Sequence, residues 1–306
     1  MFGFINLNKP QGFTSHDCVA KTRRLLNIKK VGHGGTLDPK ATGVLPIAVG
    51  KATRLLQFLP EKKAYRALIR LGMQTTTDDL EGEIVAIKKV TDLTQKEIVT
   101  YLHQFDGEIE QTPPIYSAIK QKGKKLYELA RKGIEVEVPK RKVTIYSCDL
   151  IEIYKREFIE VEVDITCSEG TYIRAIARDL GKMLGVGGTL ASLIRTKSCG
   201  LELSSSINFI TLEKRIQDST FDLIAPDKLL EHLPVVKLDA LESKRWCHGQ
   251  AISLYNNRSF YSLNVERSDY VRVYRENDLF LGIAILQSVE DKLFIKPKIV
   301  CVNFDN

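Results

Sequence analysis

The sequence is poor in the features that mark fibrous, disordered or disulfide-built chains. Its 306 residues include 10 prolines, 20 glycines and one tryptophan, while 43% are hydrophobic. Such a chain is apolar enough to build a core and too mixed to be low-complexity. No apolar run approaches the roughly 18 residues that a membrane-crossing helix needs. The opening MFGFINLNK has no basic region ahead of an apolar stretch and no small-residue cleavage site, so no secretory signal is expected there. The six cysteines, at 18, 148, 167, 199, 247 and 301, form no C-x-x-C pair. A chain of this length does not need disulfide staples. The five histidines form no H-x-x-x-H, and no Cys/His cluster has zinc spacing. Neither G-x-x-x-x-G-K-[ST] nor G-x-G-x-x-G after a strand is present. The expectation is a cytoplasmic protein with reduced thiols, without metal, nucleotide or dinucleotide cofactor, and not bound to a membrane.

Charge is what is there in excess, and it is unevenly placed. The net charge is +7, from 45 basic and 38 acidic side chains. Residues 231–306 hold ten of each, so the first 230 carry the whole surplus. Residues 9–66 have twelve basic against three acidic, and residues 120–142 have nine against three. Two concentrated positive stretches point to a polyanionic partner. Two solvated faces would give the same count.

Periodicity outlines the elements. Thr14-Ser15 can cap a helix through Cys18, Thr22, Leu25 and Leu26. A glycine-rich loop, GHGGTLDP at 32–39, precedes a buried strand at Val44–Val49. Ala52, Leu55, Leu56 and Leu59 predict a short amphipathic helix. Residues 65–71 and 157–167 alternate as strands, the second most clearly, with Ile159, Val161, Val163 and Ile165 on one face. Thr94-x-x-Glu97 is a capping box. A helix with core positions Ile173, Ile176, Ala177, Leu180 and Leu184 follows Gly170-Thr171. The segment 112–142, proline-flanked and lysine-rich, reads as an exposed insertion with one helix around Leu126–Arg131. Strand-like runs at Val271–Tyr274, Leu279–Leu286 and Leu293–Val300 suggest a small C-terminal β unit. Without a βαβ rhythm, the fold class is α+β: a mixed, largely antiparallel sheet with flanking helices. The expected domains are 1–230 and 231–306.

Several positions carry chemistry. Asp38 precedes a proline and so sits on extended or turning backbone, after glycines that let a large substrate approach closely. Asp-Pro is also an ordinary turn pair. Tyr65 follows Lys62-Lys63; a tyrosine beside cations can stack on a base while the charges hold phosphate, or be a plain cross-strand aromatic. Tyr172 and Arg174 fall at the first turn of a helix, where the dipole offers a cation nothing. An arginine there can instead pair with a carboxylate. His33, between glycines, is a loop histidine or a group that faces nucleic acid. Asp78 and Asp79 lack partner histidines, so loop capping or a salt bridge to an arginine is expected rather than a metal.

Together these segments resemble the bacterial tRNA pseudouridine-55 synthases, the TruB class of uridine-to-pseudouridine isomerases. The resemblance runs through Gly12-Phe13-Thr14-Ser15 after Asn8-Lys9-Pro10, then GHGGTLDPKATGVLPIAVGKAT (32–53) and KKAYRALIRLG (62–72). It continues through TTTDDLEG (75–82), TPPIYSAIKQKGKKLYELARKG (112–133), CSEGTYIRAIARDLG (167–181) and LIRTKSCG (193–200). It covers at least residues 5–200. The C-terminal unit resembles the small β-barrel RNA-binding module called PUA. The resemblance implies roles. Asp38 matches the nucleophilic aspartate, Tyr65 the tyrosine stacked on the target base, and Arg174 the arginine paired with the catalytic carboxylate. Tyr172 and Leu193 match pocket residues, and Asp79 an aspartate that helps hold the arginine. His33 matches the histidine that fills space left in the RNA, while Lys9 and Pro10 buttress the catalytic loop. Together with Asp79, Tyr172, Leu193 and His33, these two are grouped as substrate-binding positions. The loop departs from many members in reading His33-Gly34-Gly35-Thr36.

The implied substrate is the T-arm of tRNA, bound by a monomer. A base in folded RNA must leave its stack to be isomerised, and a carboxylate can act as nucleophile and leave again without a cofactor. Lys122, Lys124, Lys125 and Lys132 are expected to hold RNA backbone, which positions without reading sequence. A guide-RNA-dependent synthase and a non-catalytic RNA-binding protein or chaperone remain the alternatives.

Overall fold

The computed structural model describes residues 2–117, 119–121, 124–126, 138–254, 269–289 and 292–302. Its strands, in chain order, begin with β1 (Gly3–Lys9), β2 (Val31–His33), β3 (Thr42–Val49) and β4 (Lys63–Leu71). A small hairpin, β5 (Met73–Thr75) and β6 (Ile84–Ile87), precedes β7 (Gly107–Gln111). Two short paired strands, β8 (Lys120–Gln121) and β9 (Lys124–Lys125), lead to β10 (Arg141–Lys155), β11 (Ile159–Cys167), β12 (Gly188–Ser198) and β13 (Leu201–Glu202). The C-terminal strands are β14 (Val235–Leu238), β15 (Ile252–Ser253), β16 (Tyr270–Arg275), β17 (Phe280–Val289) and β18 (Lys292–Val300). Among the described residues the α-helices are α1 (Ser15–Leu26), α2 (Gln95–Leu102), α3 (Ile173–Met183), α4 (Phe209–Gln217) and α5 (Ala240–Cys247).

The central sheet has nine strands, in the order β1-β3-β12-β4-β11-β10-β7, with β2 on β3 and β13 on β12. All its pairs are antiparallel except β12 with β3. The alternating β11 puts Val161, Val163 and Ile165 into a core shared with Ile69 of β4, with Ile98 and Leu102 of α2, and with Ile176 and Leu180 of α3. Its acidic face pairs with basic residues of β4: Arg66 grips Asp164 at 2.7 Å and Arg70 grips Glu160 at 2.8 Å. Both expected N-terminal caps form, Thr14 with Asp17 on α1 and Thr94 with Glu97 on α2.

The second sheet runs β14-β16-β17-β18-β15, and its curled half-barrel packs on the first through Phe4, Val44, Leu230, Tyr274, Phe280 and Ile283. The architecture is therefore the mixed, largely antiparallel α+β fold expected. One element differs. The amphipathic helix expected over residues 52–59 is instead two 3-10 turns, Gly50–Arg54 and Leu56–Phe58. Ala52, Leu55 and Phe58 are all buried, and the threefold spacing of a 3-10 turn puts them on one side. The 112–142 segment springs from adjacent strands, because Arg141 opens β10 opposite Gln111, the last residue of β7. Its expected helix, beyond Leu126, lies outside the described residues.

Candidate active site

The loop between β2 and β3 carries Asp38, and it is clamped from two sides. On one side Lys9, fully buried, donates to the carbonyls of Pro39 (3.0 Å), Phe13 (2.6 Å) and Pro10 (3.0 Å). Ser15 Oγ accepts from the Leu37 amide at 2.9 Å, and the Gly12 amide donates to the Pro39 carbonyl at 2.8 Å. On the other side Arg195, also fully buried, donates to the carbonyls of Gly35 (3.0 Å), Thr36 (3.2 Å) and Val44 (2.8 Å). Charge-assisted bonds to carbonyls are stronger than neutral ones, so the loop reaches Asp38 already fixed.

Arg174 meets Asp38 from α3. Its Nε lies 3.1 Å from Asp38 Oδ2, and its Nη1 lies 3.3 Å from Asp79 Oδ2. It donates to the carbonyls of Thr77 (3.1 Å) and Tyr116 (3.0 Å). The Nε–H is not aligned as a hydrogen bond, so the link to Asp38 is a charge contact that leaves the carboxylate oxygens free to face a ligand. The Asp38 side chain is 43% exposed, whereas that of Arg174 is 7% exposed. One buried cation thus orients a carboxylate that opens onto solvent. Asp78 pairs instead with Arg178, at 2.9 Å. Burial pushes the Asp78 carboxyl up despite that partner. Both acids of the TTTDDLEG segment therefore hold arginines, as expected.

These groups line a cavity of about 1000 Å³. The structure brings Asp38, Tyr65, Arg174, Tyr172, Leu193 and Asp79 together on its walls. Tyr65 is buried, which pushes its phenol up from the ordinary value. Its β12 neighbour in register is Arg195, and Leu193 sits opposite Ala67. Tyr172 caps α3 by backbone, and its amide and carbonyl are both held by the buried Gln111 side chain, at 2.8 and 3.1 Å. Burial pushes the Cys18, Cys167 and Cys301 thiols up to about 11 and Cys148 to about 12. These thiols are protonated at neutral pH and are no rival nucleophiles.

Other expected positions lie elsewhere. His33 is on the short edge strand β2, its ring 5.6 Å from that of His16 in an edge-on contact. It lines a neighbouring groove with Arg23, Lys29 and Lys30 rather than the cavity. Lys9 and Pro10 stand behind the loop. As a substrate-binding position Lys9 is corrected: it is 0% exposed and its ammonium is taken up by three carbonyls, so only the buttressing role fits it. Lys124 and Lys125 belong to β9, while Lys122 and Lys132 lie outside the described residues. Lys140 and Lys142 face Glu110 and Glu108, at 3.8 and 2.9 Å.

The sequence reading assigned no role to Arg195 or Gln111, and it treated Lys63 as a phosphate-holding surface charge beside Lys62. Lys62 is exposed, over the ring of Tyr146, whereas Lys63 is turned into the cavity. Strand alternation was the available signal, since Lys63 and Tyr65 share a face of β4. No comparable signal marks Arg195, because β12 has a register shift between Leu190 and Ser192 and another between Arg195 and Lys197.

Comparison with known proteins shows what the chain is similar to. Residues 23–173 match the family described as TruB family pseudouridylate synthase (N terminal domain), and residues 234–298 match Pseudouridine synthase II TruB, C-terminal. The tRNA pseudouridine synthase B of Gloeothece citriformis is 58% identical, over 94% of this chain and 92% of that protein. The protein of the same name from Synechocystis sp. is 48% identical, over 98% of this chain and 99% of its own. Among solved structures, an H/ACA RNP bound to a substrate RNA containing 2′-deoxyuridine has a chain of 26% identity and TM-score 0.75, covering 99% of this chain and 86% of that one. A chain of a Cbf5-Nop10-Gar1 complex is 28% identical with TM-score 0.71, covering 99% and 84%.

Proposed function

The chain belongs to the TruB pseudouridylate synthase family, and on that premise we propose that it isomerises uridine to pseudouridine at position 55 in the T-loop of tRNA, with Asp38 as the catalytic carboxylate. The observation that carries the reading is the half-exposed Asp38 carboxylate, held by the buried Arg174 at the wall of a cavity that also presents Tyr65 and Leu193. A flipped base has a stacking ring in Tyr65 and an apolar wall in Leu193.

The chemistry balances within the substrate. The C1′–N1 bond breaks with its electron pair on the base. C1′ is relieved either by bonding to the Asp38 carboxylate or by loss of a C2′ proton to it. The base turns and C5 bonds to C1′ as the C1′–Asp38 bond breaks or as Asp38 returns the proton to C2′, either way regenerating the carboxylate; the proton that leaves C5 is replaced by one at N1. No oxidant, reductant or cofactor is consumed. Arg174 aims Asp38, and the clamped loop holds it in place before substrate arrives, which is where positional catalysis originates.

The same reading makes residues 1–230 the catalytic unit, the 112–142 segment an RNA clamp, and residues 231–306 a PUA-like RNA-binding unit of a cytoplasmic monomer. A stand-alone enzyme is favoured over a guide-dependent one because the curated relatives, much more alike than the RNP chains, carry the tRNA enzyme's name. The test is an unmodified tRNA transcript incubated with pure protein, in chelator and with no guide RNA or second protein. Pseudouridine mapped at position 55 alone is the expected result. A uridine left intact there overturns the proposal.

A further inference from the structure

We infer that Lys63 is a further catalytic residue, whose ammonium stabilises the negative charge of the base once it has separated from the ribose. The inference rests on the isomerase reading above and adds a group that the reading does not use.

Lys63 opens β4 and shares its inward face with Tyr65, so ammonium and phenol project into the same cavity. Among the described residues the Lys63 side chain makes no hydrogen bond or ion pair. The other cations there are occupied: Arg174 by two carboxylates and two carbonyls, Arg195 by three carbonyls. The three N–H donors of Lys63 are therefore the ones left to meet a ligand. The loop makes room for them at Gly35, where φ is +114° and a Cβ would lie 3.1 Å from Lys63 Nζ and 3.6 Å from Arg195 Nη1.

The arrangement has no structural return. An ammonium beside a buried guanidinium, with no carboxylate in contact, is repelled and desolvated. Burial is the main cause that lowers its pKa, followed by Arg195; Cys199, Glu169 and Cys167 oppose the shift. A methionine would fill the same space at less cost.

Charge placement points to the ligand. The cavity lining carries Asp38, Asp79, Glu81 and Glu83 against Arg174 and Lys63, and Arg174 is committed to Asp38 and Asp79. Lys63 is the lining cation with no carboxylate in contact among the described residues, so it is the one placed to meet a negative charge that develops in the cavity. Heterolysis of C1′–N1 creates one such charge, spread over N1 and the carbonyl oxygens of the base. The base is also the part of the substrate that Tyr65 would hold. A preorganised cation where charge develops is worth most in a site that excludes water.

The experiment compares Lys63→Met and Lys63→Arg with wild type, using tRNA transcript in single-turnover conversion at saturating protein and in equilibrium binding. Lys63→Met is expected to lose about 100-fold or more in rate, as removal of one oxyanion donor does. Its tRNA affinity should stay within about threefold. Lys63→Arg, which keeps the cation, is expected to recover at least about tenfold of the loss. A Lys63→Met rate within about threefold of wild type overturns the inference. So does a loss confined to affinity, which would make Lys63 a phosphate ligand, and so does equal impairment of the two variants. Should Lys63→Met not fold, a Lys63→Arg variant that binds tRNA normally but is as slow as Asp38→Asn overturns it alone. Failure of wild type to make pseudouridine would instead sink the isomerase reading.

Discussion

Replacing Arg174 with alanine removes one guanidinium from four acceptors at once, and the structure apportions the damage. Two acceptors are carboxylates. The Asp38 side chain is 43% exposed, so water takes over much of what Arg174 provided; such pairs are worth about 0–1 kcal/mol. Asp79 is only 16% exposed, and breaking a buried pair by removing one partner costs about 3–5 kcal/mol. Stability should therefore fall by about 3–5 kcal/mol, chiefly through Asp79. Activity should fall for a different reason. Asp38 loses the contact that fixes its direction, and a displacement of about 1 Å at a reacting atom costs on the order of 100-fold. Urea unfolding measures the first effect. Single-turnover conversion at a temperature where the variant is fully folded measures the second. Arg174→Lys restores one charge but cannot span Asp38, Asp79 and both carbonyls, so it should recover stability more than rate. The reasoning is refuted if Arg174→Ala is destabilised by less than about 1 kcal/mol and converts tRNA within about threefold of wild type.

Tyr65→Leu should slow single-turnover conversion more than it weakens tRNA binding, because a stacked base, worth about 1–3 kcal/mol, is held only after flipping; equal losses in rate and affinity would speak against the stacking role. Burial lowers the pKa of both His33 and His232 from the ordinary 6.5. Each therefore binds fewer protons folded than unfolded, so stability is full above pH 6.5 and declines as pH falls through the folded values. Urea midpoints should drop on acidification from that point, and the His33→Gln/His232→Gln double variant should drop less steeply; identical slopes would contradict this. Neutralising Lys122, Lys124, Lys125 and Lys132 together should weaken tRNA binding and reduce the slope of log affinity against log salt by roughly 0.7–0.9 per lost phosphate contact. Single-turnover rate at saturating protein should hold, and parallel salt plots of equal affinity would leave the lysines a solvated face.

The sequence made legible those elements whose period survives in the fold. The alternation of 159–167, the helix cap at Thr14, the capping box at Thr94, and the helical repeat from Ile173 to Leu180 all correspond to observed elements. So do the three C-terminal strand runs. Several elements escaped, among them β1, β7, β10 and α4. β12 was not read as a strand, because its two register shifts break the period of two. The short β14 and α5 carry too few residues for a period to show. The site divides along the same line. Asp38, Tyr65 and Arg174 were found through motif context, and locally each had an ordinary explanation. The cations that hold and complete the site, Arg195 and Lys63, were invisible as such. Their significance lies in what they do or do not touch across the sheet, which no local pattern encodes.

The central claim is that the Asp38 carboxylate performs the chemistry. Asp38→Asn keeps the shape while removing the charge and the nucleophile. The measurement is single-turnover formation of pseudouridine at position 55 of a tRNA transcript, with saturating Asp38→Asn protein beside wild type and with tRNA affinity determined for both. The expected rate is lower by several orders of magnitude, with affinity preserved, because the loss falls on the chemical step. A variant that binds tRNA and converts it at near the wild-type rate would make Asp38 a turn residue and contradict the account.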